Sequence, residues 1–306
     1  MTDTVTLTDE LVPSSLSGTG FGESISVYGD YMAISSSTTN AGAVYIFKLV
    51  NDAWTQQTIN YTDSGRTSGG TLLTPSDGTT NKKFGQSLSL YGDILVVGAQ
   101  KSNEVFVFSK NSSDEWTEHS TIEPSATGTD IVKFGRIVTL YNNYLAVSSE
   151  SGGGVQIFKK NTSDNDFTHQ QTISVIGTGG NFGNALKLYD DMLVIADKDA
   201  DVNSLSNSGA VYVFRKDGTP EVWSQEYMSG DVPLTASQFT GDAAAAANDR
   251  FGTGLDAFGD YIVVGAHLED DPQNGGIVYI FKKESGYWVS KTTLESSDLD
   301  LSLIHI

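Results

Sequence analysis

Five times along this chain a Phe-Gly pair opens the same run of residues. The copies are FGESISVYGDYMAIS from Phe21, FGQSLSLYGDILVVGA from Phe84, FGRIVTLYNNYLAVSS from Phe134, FGNALKLYDDMLVIAD from Phe182 and FGTGLDAFGDYIVVGA from Phe251. Each copy holds a β-rich run, a tight turn and an apolar run. Each is answered downstream by a third run: AVYIF (43–47), EVFVF (104–108), GVQIF (154–158), AVYVF (210–214) and IVYIF (277–281). A fourth segment then starts with a large aromatic: Trp54, Trp116, Phe167, Trp223 and Trp288. All four Trp residues of the chain occupy that one repeat position. Units of this size cannot bury their apolar faces alone, so each must stack on the next.

The Phe-Gly pairs lie 63, 50, 48 and 69 residues apart. Four strand-like segments per period predict an all-β β-propeller of four-stranded antiparallel blades. Second runs such as Ile94-Leu95-Val96-Val97 are apolar on both faces, as an inner strand wedged between blades requires. Fourth runs such as Trp54-Thr55-Gln56-Gln57 mix in polar residues, as an outer edge half in water requires. The run Ala243–Ala247 favours a helix, but it is too short to form one alone. Residues 1–300 therefore read as one propeller domain with units starting near 21, 84, 134, 182 and 251.

The chain has 306 residues, a formal net charge of -20 and no cysteine. An acidic chain repels phosphate backbones, so no nucleic-acid partner is expected. Disulfides and thiol nucleophiles are excluded. No run has the length of a membrane-spanning helix, so no membrane insertion is expected in this segment. The opening MTDTVTLTDEL lacks the basic and apolar regions of a signal peptide. Residues 4–20 lead into Phe21 as a fourth strand leads into the next unit, and residues 288–300 head toward a further Phe-Gly. The repeat array is therefore expected to be truncated. The last six residues, Leu301–Ile306, read as a non-native tail resembling translated adaptor sequence.

The order Phe-Gly, Gly-Asp, Val-Gly-Ala, then Gly-Ala-Val-Tyr-Ile-Phe resembles the FG-GAP repeat, which builds the N-terminal propeller of integrin α-subunits and many microbial surface proteins. Gly98-Ala99 and Gly265-Ala266 keep the GA element, while Ser35-Ser36, Ser148-Ser149 and Ala196-Asp197 have drifted from it. The resemblance implies seven blades and a setting in a cell-surface or extracellular protein. The integrin form carries a calcium loop between its first and second strands. Here that place is only a turn, such as Tyr91-Gly92-Asp93, so the family's calcium function does not carry over at that position.

Antiparallel order sends the strand 2–3 and 4–1 connections to one face. That face receives the long segments 60–83, 197–208, 228–250 and 267–275, and long loops on a rigid scaffold are where binding is expected. The sharpest candidate is the alternating set Asp197, Asp199, Asp201 and Asn203. Alternate oxygens can wrap Ca²⁺, although Val202 replaces the Gly of an EF-hand loop; the other reading is a solvated acidic loop. Glu269-Asp270-Asp271 is a weaker copy. On the opposite face Lys48, Lys110, Lys159, Lys160, Arg215, Lys216, Lys282 and Lys283 all follow a third strand. They read either as a patch for an anionic surface or as edge protection. The four His share no metal-ligand spacing, and nothing assembles a nucleophile, base and oxyanion site. The expected function is non-catalytic: a scaffold for protein or glycan recognition, in adhesion or another surface interaction. An accessory domain of a larger secreted enzyme, or a structural spacer, is the alternative.

Overall fold

The computed structural model describes residues 11–14, 20–37, 42–59, 72–76, 81–125, 131–151, 154–174, 181–226, 233–236, 246–267 and 276–295. These form five four-stranded antiparallel sheets, one per repeat. Blade one is β1–β4 (Phe21–Tyr28, Tyr31–Ser36, Ala43–Val50, Ala53–Gln56) and blade two is β5–β8 (Phe84–Tyr91, Ile94–Ala99, Glu104–Lys110, Trp116–Ile122). Blade three is β9–β12 (Val138–Tyr141, Tyr144–Ser148, Val155–Lys160, Phe167–Ile173). Blade four is β13–β16 (Ala185–Tyr189, Met192–Asp197, Ala210–Asp217, Val222–Glu226), and blade five is β17–β20 (Gly254–Phe258, Tyr261–Ala266, Ile277–Glu284, Tyr287–Glu295). Strands run outward in chain order within every sheet. No α-helix occurs among the described residues. The all-β propeller expected from the repeat is the fold observed.

Blades join through their first strands. β1 packs on β5, β5 on β9, β9 on β13 and β13 on β17. Each joint buries a core shared by two blades. In the first, Ala33, Val44 and Ile46 of blade one meet Phe84, Leu95, Val97, Phe106 and Phe108 of blade two. The repeat Phe stands edge-on to its own third strand: Phe84 lies 5.3 Å from Phe106, and Phe251 lies 5.1 Å from Tyr279. Edge-to-face pairs of this kind add about 0.5–1.5 kcal/mol beyond their burial.

The glycine after that Phe explains the rest of the motif. Gly85 has a φ of 89°, which a side chain disfavours, and a Cβ there would lie 2.9 Å from Ser35 Cβ of the preceding blade. The later joints repeat this approach: a Cβ on Gly98 would lie 2.1 Å from the Gly135 carbonyl oxygen. The penultimate residue of each second run is accordingly small: Ser35, Gly98, Ser148, Ala196 and Gly265. What drifted from the GA element drifted only among small side chains.

A second seam runs closer to the axis. The Ser24 and Ser26 hydroxyls accept the N–H groups of Leu88 (3.1 Å) and Leu90 (2.8 Å). Ser87 and Ser89 do the same for Val138 (3.0 Å) and Leu140 (2.9 Å), and Thr139 for Leu188 (3.1 Å). These hydroxyls meet the otherwise unpaired edge of the following blade's first strand, so blades one to three each satisfy the backbone of the next. In the last joint Lys187 at the same repeat position reaches Asp256 instead, at 2.5 Å.

No packing of comparable extent joins β17 back to β1 among the described residues. Ile25 is 56% exposed where its counterpart Leu88 is 7% exposed. Leu294 is 54% exposed where its counterpart Ile122 is 7% exposed. The expected pairing of residues 4–12, the helix-friendly Ala243–Ala247 and the tail Leu301–Ile306 lie wholly or largely outside the described residues.

The joints make a sharp prediction. Gly98→Ala drives a methyl into the Gly135 carbonyl and should cost about 3 kcal/mol, the upper range for overpacking. Gly265→Ala sits at the same repeat position, but among the described residues its Cβ would meet nothing nearer than 3.8 Å. Its urea midpoint should match that of the parent chain. Equal losses in the two variants would remove the close blade-to-blade approach as the reason for the small residue.

Candidate functional site

The face of the strand 2–3 and 4–1 connections is built from two kinds of loop. The first is the short linkage 197–208 in blade four, which is fully described. The second is the pair of long insertions that make the first and fourth repeat spacings 63 and 69 residues. In blades two, three and five the outer strand runs seven to nine residues (β8, β12, β20), whereas β4 has four and β16 five. After each short outer strand a single residue returns to the blade. Leu73 pairs with Val44 (N–H to O distances 2.7 and 3.0 Å), and Leu234 pairs with Val211 (both 2.9 Å). Leu73 and Leu234 are buried. Each insertion therefore interrupts an outer strand, and the chain then restores the missing rung. Most of 60–83 and 228–250, and all of 268–275 including Glu269-Asp270-Asp271, lie outside the described residues.

In the 197–208 loop the four candidate ligands are drawn to separate partners. Asp197 ends β14 and is fully buried; its Oδ1 accepts the Asp199 N–H at 3.2 Å. Asp199 is held by the Lys198 Nζ at 2.8 and 2.9 Å, by Asn181 and by Arg250 at 3.5 Å. Burial pushes the Asp199 carboxyl up, but the hydrogen bonds from Lys198 and Asn181 outweigh it and leave it below the usual range. Asp201 accepts the Asn207 N–H at 2.8 Å. Asn203 sits at φ 52° in the tip of a small hairpin closed by Val202 and Leu205. The segment 246–250 clasps this hairpin: Asn207 donates to Asn248 Oδ1 at 3.1 Å, and the Asn248 N–H donates to the Ser206 carbonyl at 2.8 Å. Among the described residues, no group of three or more acidic or His side chains could hold a metal ion.

The opposite face shows where the basic residues go. Tyr31, at the start of β2, lies between Lys48 of its own blade (5.4 Å to the ring centroid) and Lys110 of blade two (5.1 Å). Asp114, in the strand 3–4 loop of blade two, binds both lysines, at 2.5 and 3.1 Å. Blades three and four repeat the clamp. Tyr144 lies between Lys159 (5.6 Å) and Lys216 (4.6 Å), and Glu221 binds Lys159 at 2.5 Å and Lys216 at 3.4 Å while accepting the Tyr144 hydroxyl. Hydrogen bonds from Lys159 and then Tyr144 hold the Glu221 carboxyl at about 2. The neighbour's outer-strand Trp closes each clamp edge-on, Trp116 on Tyr31 at 6.0 Å and Trp223 on Tyr144 at 5.5 Å. Arg215 pairs with Asp191 and Glu226, and Lys283 with Glu226 at 2.8 Å. Lys160 reaches Asn165 at 3.2 Å and Lys282 reaches Glu284 at 3.7 Å. The lysines after the third strands are thus mostly blade-to-blade fasteners, a role that neither the patch nor the edge-protection reading named. Nearer the axis, Tyr28, Tyr91, Tyr141, Tyr189 and Phe258 follow one another at centroid spacings of 4.6–5.3 Å along the five turns.

Sheet order, joints and turns together define a β-propeller built of Phe-Gly blades. The FG-GAP repeat matches directly over residues 71–113 and 241–281. The remaining blades follow the same plan, and the chain is an FG-GAP repeat propeller protein. No curated protein matches its sequence. Among solved structures it is similar to a Bacteroides fragilis protein described as a "putative 6-phosphogluconolactonase", at 13% identity and TM-score 0.56, covering 89% of this chain and 70% of that one. The counterpart from Bacteroides uniformis gives 12% identity and TM-score 0.56, with 89% and 71% covered. A functionally unknown protein from Desulfotomaculum acetoxidans gives 11% and 0.54, with 89% and 69% covered. At these identities the likeness is one of fold.

Because the Asp199 carboxylate already binds two cations of the protein itself, millimolar Ca²⁺ should leave the melting temperature unchanged. A ligand held only by the folded state would raise it. A rise that Asp199→Ala abolishes would instead show that Ca²⁺ displaces Lys198 and Arg250 from this loop.

Proposed function

We propose that this propeller is a non-catalytic recognition scaffold whose ligand, a protein or a glycan, is met by the face carrying 60–83, 197–208, 228–250 and 267–275. The observation that carries the reading is the placement of the two long insertions. They interrupt the outer strands of blades one and four, and the buried Leu73 and Leu234 restore the sheet after each. Loop sequence can then vary without cost to the blade, which is how binding loops are carried on rigid scaffolds. The opposite face is spent on joining blades.

The reading places the protein in an extracellular or cell-surface setting, where it serves adhesion or another surface contact, as the FG-GAP repeat suggests. A net charge of -20 disfavours nucleic acid as the partner. Among the described residues no helix is long and apolar enough to cross a membrane.

Replacing residues 61–70 or 237–245 with a short Gly-Ser linker separates the roles of loop and scaffold. Binding to a glycan array or to intact cells should fall at least tenfold, and the urea midpoint should shift by less than about 0.5 kcal/mol equivalent, as for changes away from the core. Unchanged binding in both variants would overturn the assignment of this face.

A further inference from the structure

The aromatic row along the strand 1–2 turns carries chemistry that neither the joints nor the loops use. Tyr28, Tyr91, Tyr141 and Tyr189 each end the first strand of a blade, and Phe258 holds that place in blade five. Two residues before the first three of them, Ser26, Ser89 and Thr139 reach across to the next blade's first strand. Side chains alternate along a strand, so each Tyr points the same way and its ring meets that of the next blade. Ring centroids lie 4.6 Å apart for Tyr28 and Tyr91, 4.8 Å for Tyr91 and Tyr141, and 5.3 Å for Tyr141 and Tyr189. The planes are tilted by 46–50°. The hydroxyl ends converge as well. Burial raises the Tyr91 hydroxyl first, and the phenols of Tyr28 and Tyr141 push it further up through charge and hydrogen bonding. An ortho carbon flanks each hydroxyl, so rings that converge at their hydroxyls also bring their ortho carbons together. Tyr28 is 41% exposed, which opens the row to an oxidant at its blade-one end.

We propose that this row is an oxidative cross-linking site, where a haem peroxidase with hydrogen peroxide joins neighbouring blades through a carbon–carbon bond between tyrosine rings. Each phenol gives up one electron and one proton. The peroxide takes both electrons and both protons and leaves as two waters. The two phenoxyl radicals couple ortho to ortho, and each ortho hydrogen then moves to a phenol oxygen to restore the ring. The pair has lost two hydrogen atoms and kept both hydroxyls. Holding the two rings in contact turns an encounter between radicals into an intramolecular step. The site is confined to the first three joints, because Phe258 stands 4.9 Å from Tyr189 without a phenol. The chain has no cysteine, so disulfides cannot serve as ties between its blades. A link from Tyr28 to Tyr91 spans 63 residues, and one from Tyr141 to Tyr189 spans 48. Closing loops of that length removes freedom from the unfolded chain and so favours the folded one.

The test treats the whole chain, dilute enough to keep molecules apart, with horseradish peroxidase and hydrogen peroxide. The intact mass should fall by two hydrogen atoms per link, with dityrosine fluorescence. Digestion should release peptides that join Tyr28 to Tyr91, Tyr91 to Tyr141, or Tyr141 to Tyr189. The urea midpoint should rise. Tyr91→Phe keeps the ring and should abolish both links to position 91 while sparing the link between Tyr141 and Tyr189. Phe258→Tyr should add a link to Tyr189. Tyr261 and Tyr287 are exposed too, but no second tyrosine ring lies against either among the described residues. The proposal is overturned if links form mainly through Tyr261 or Tyr287, or only between molecules. It is also overturned if the same links form equally well in concentrated urea, or if the linked chain unfolds at the parent midpoint.

Discussion

The close approach of the Phe-Gly glycines of blades two to five to the second strand of the preceding blade sets the terms for the whole molecule. At Gly85 that approach comes within 2.9 Å of Ser35 once a Cβ is imagined, and at Gly98 the next blade's carbonyl stands where a methyl would go. Two backbones can come this near only if neither carries a side chain of size. Once they do, the Phe beside the glycine is pressed against its own third strand, and the first strand falls within reach of its neighbour's hydroxyls. Five recurring features therefore follow from one contact: the Phe, the glycine, the small residue, the aromatic third strand and the Ser or Thr of the first strand. Packing of this density resists change in either direction, since adding or removing a methylene costs free energy.

Around that contact the two ends of the blades have diverged in use. At the end of the strand 1–2 and 3–4 connections, charges are consumed between blades. Asp114 and Glu221 each gather two lysines against a tyrosine. A single exposed ion pair contributes little, on the order of 0–1 kcal/mol. A carboxylate shared by two lysines over an aromatic ring is better defended, because no partner moves without breaking several contacts. At the other end the chain departs from the blade, inserts a loop and returns through Leu73 or Leu234. The scaffold thus keeps variable sequence on one face and fixes the other.

The fold was legible because its determinants recur at fixed offsets. Five repeat-opening Phe-Gly pairs, five apolar second runs and a Trp or Phe at every fourth strand left only stacked four-stranded units to consider. The site was less legible because its determinants do not recur. Asp197, Asp199 and Asp201 alternate as cation ligands would, yet Lys198 folds back onto Asp199, Asn181 arrives from beside its own blade's Phe-Gly and Arg250 from beside that of the next blade. The lysines after the third strands likewise read as either a patch or edge protection until their partners were placed. Lys48 finds Asp114 sixty-six residues on, and Lys159 finds Glu221 sixty-two residues on. Each distance is about one repeat, so the signal was present as a carboxylate one unit downstream of a Tyr–Lys pair. The interrupted outer strands left a fainter trace in the two long spacings and in the similar returns Leu73-Thr74 and Leu234-Thr235.

The central claim is that blades after the first are completed by the one before them. Residue-resolved amide exchange tests this most directly at a single repeat position. The N–H groups of Leu90, Leu140 and Leu188 donate to Ser26, Ser89 and Thr139 of the preceding blade. Val27 holds the same position in blade one, is 55% exposed and meets no such hydroxyl among the described residues. The account predicts that the first three amides exchange only with global unfolding, while Val27 exchanges at least a hundredfold faster by local opening. Equal protection at all four positions would contradict it, because each blade would then be stable without its neighbour.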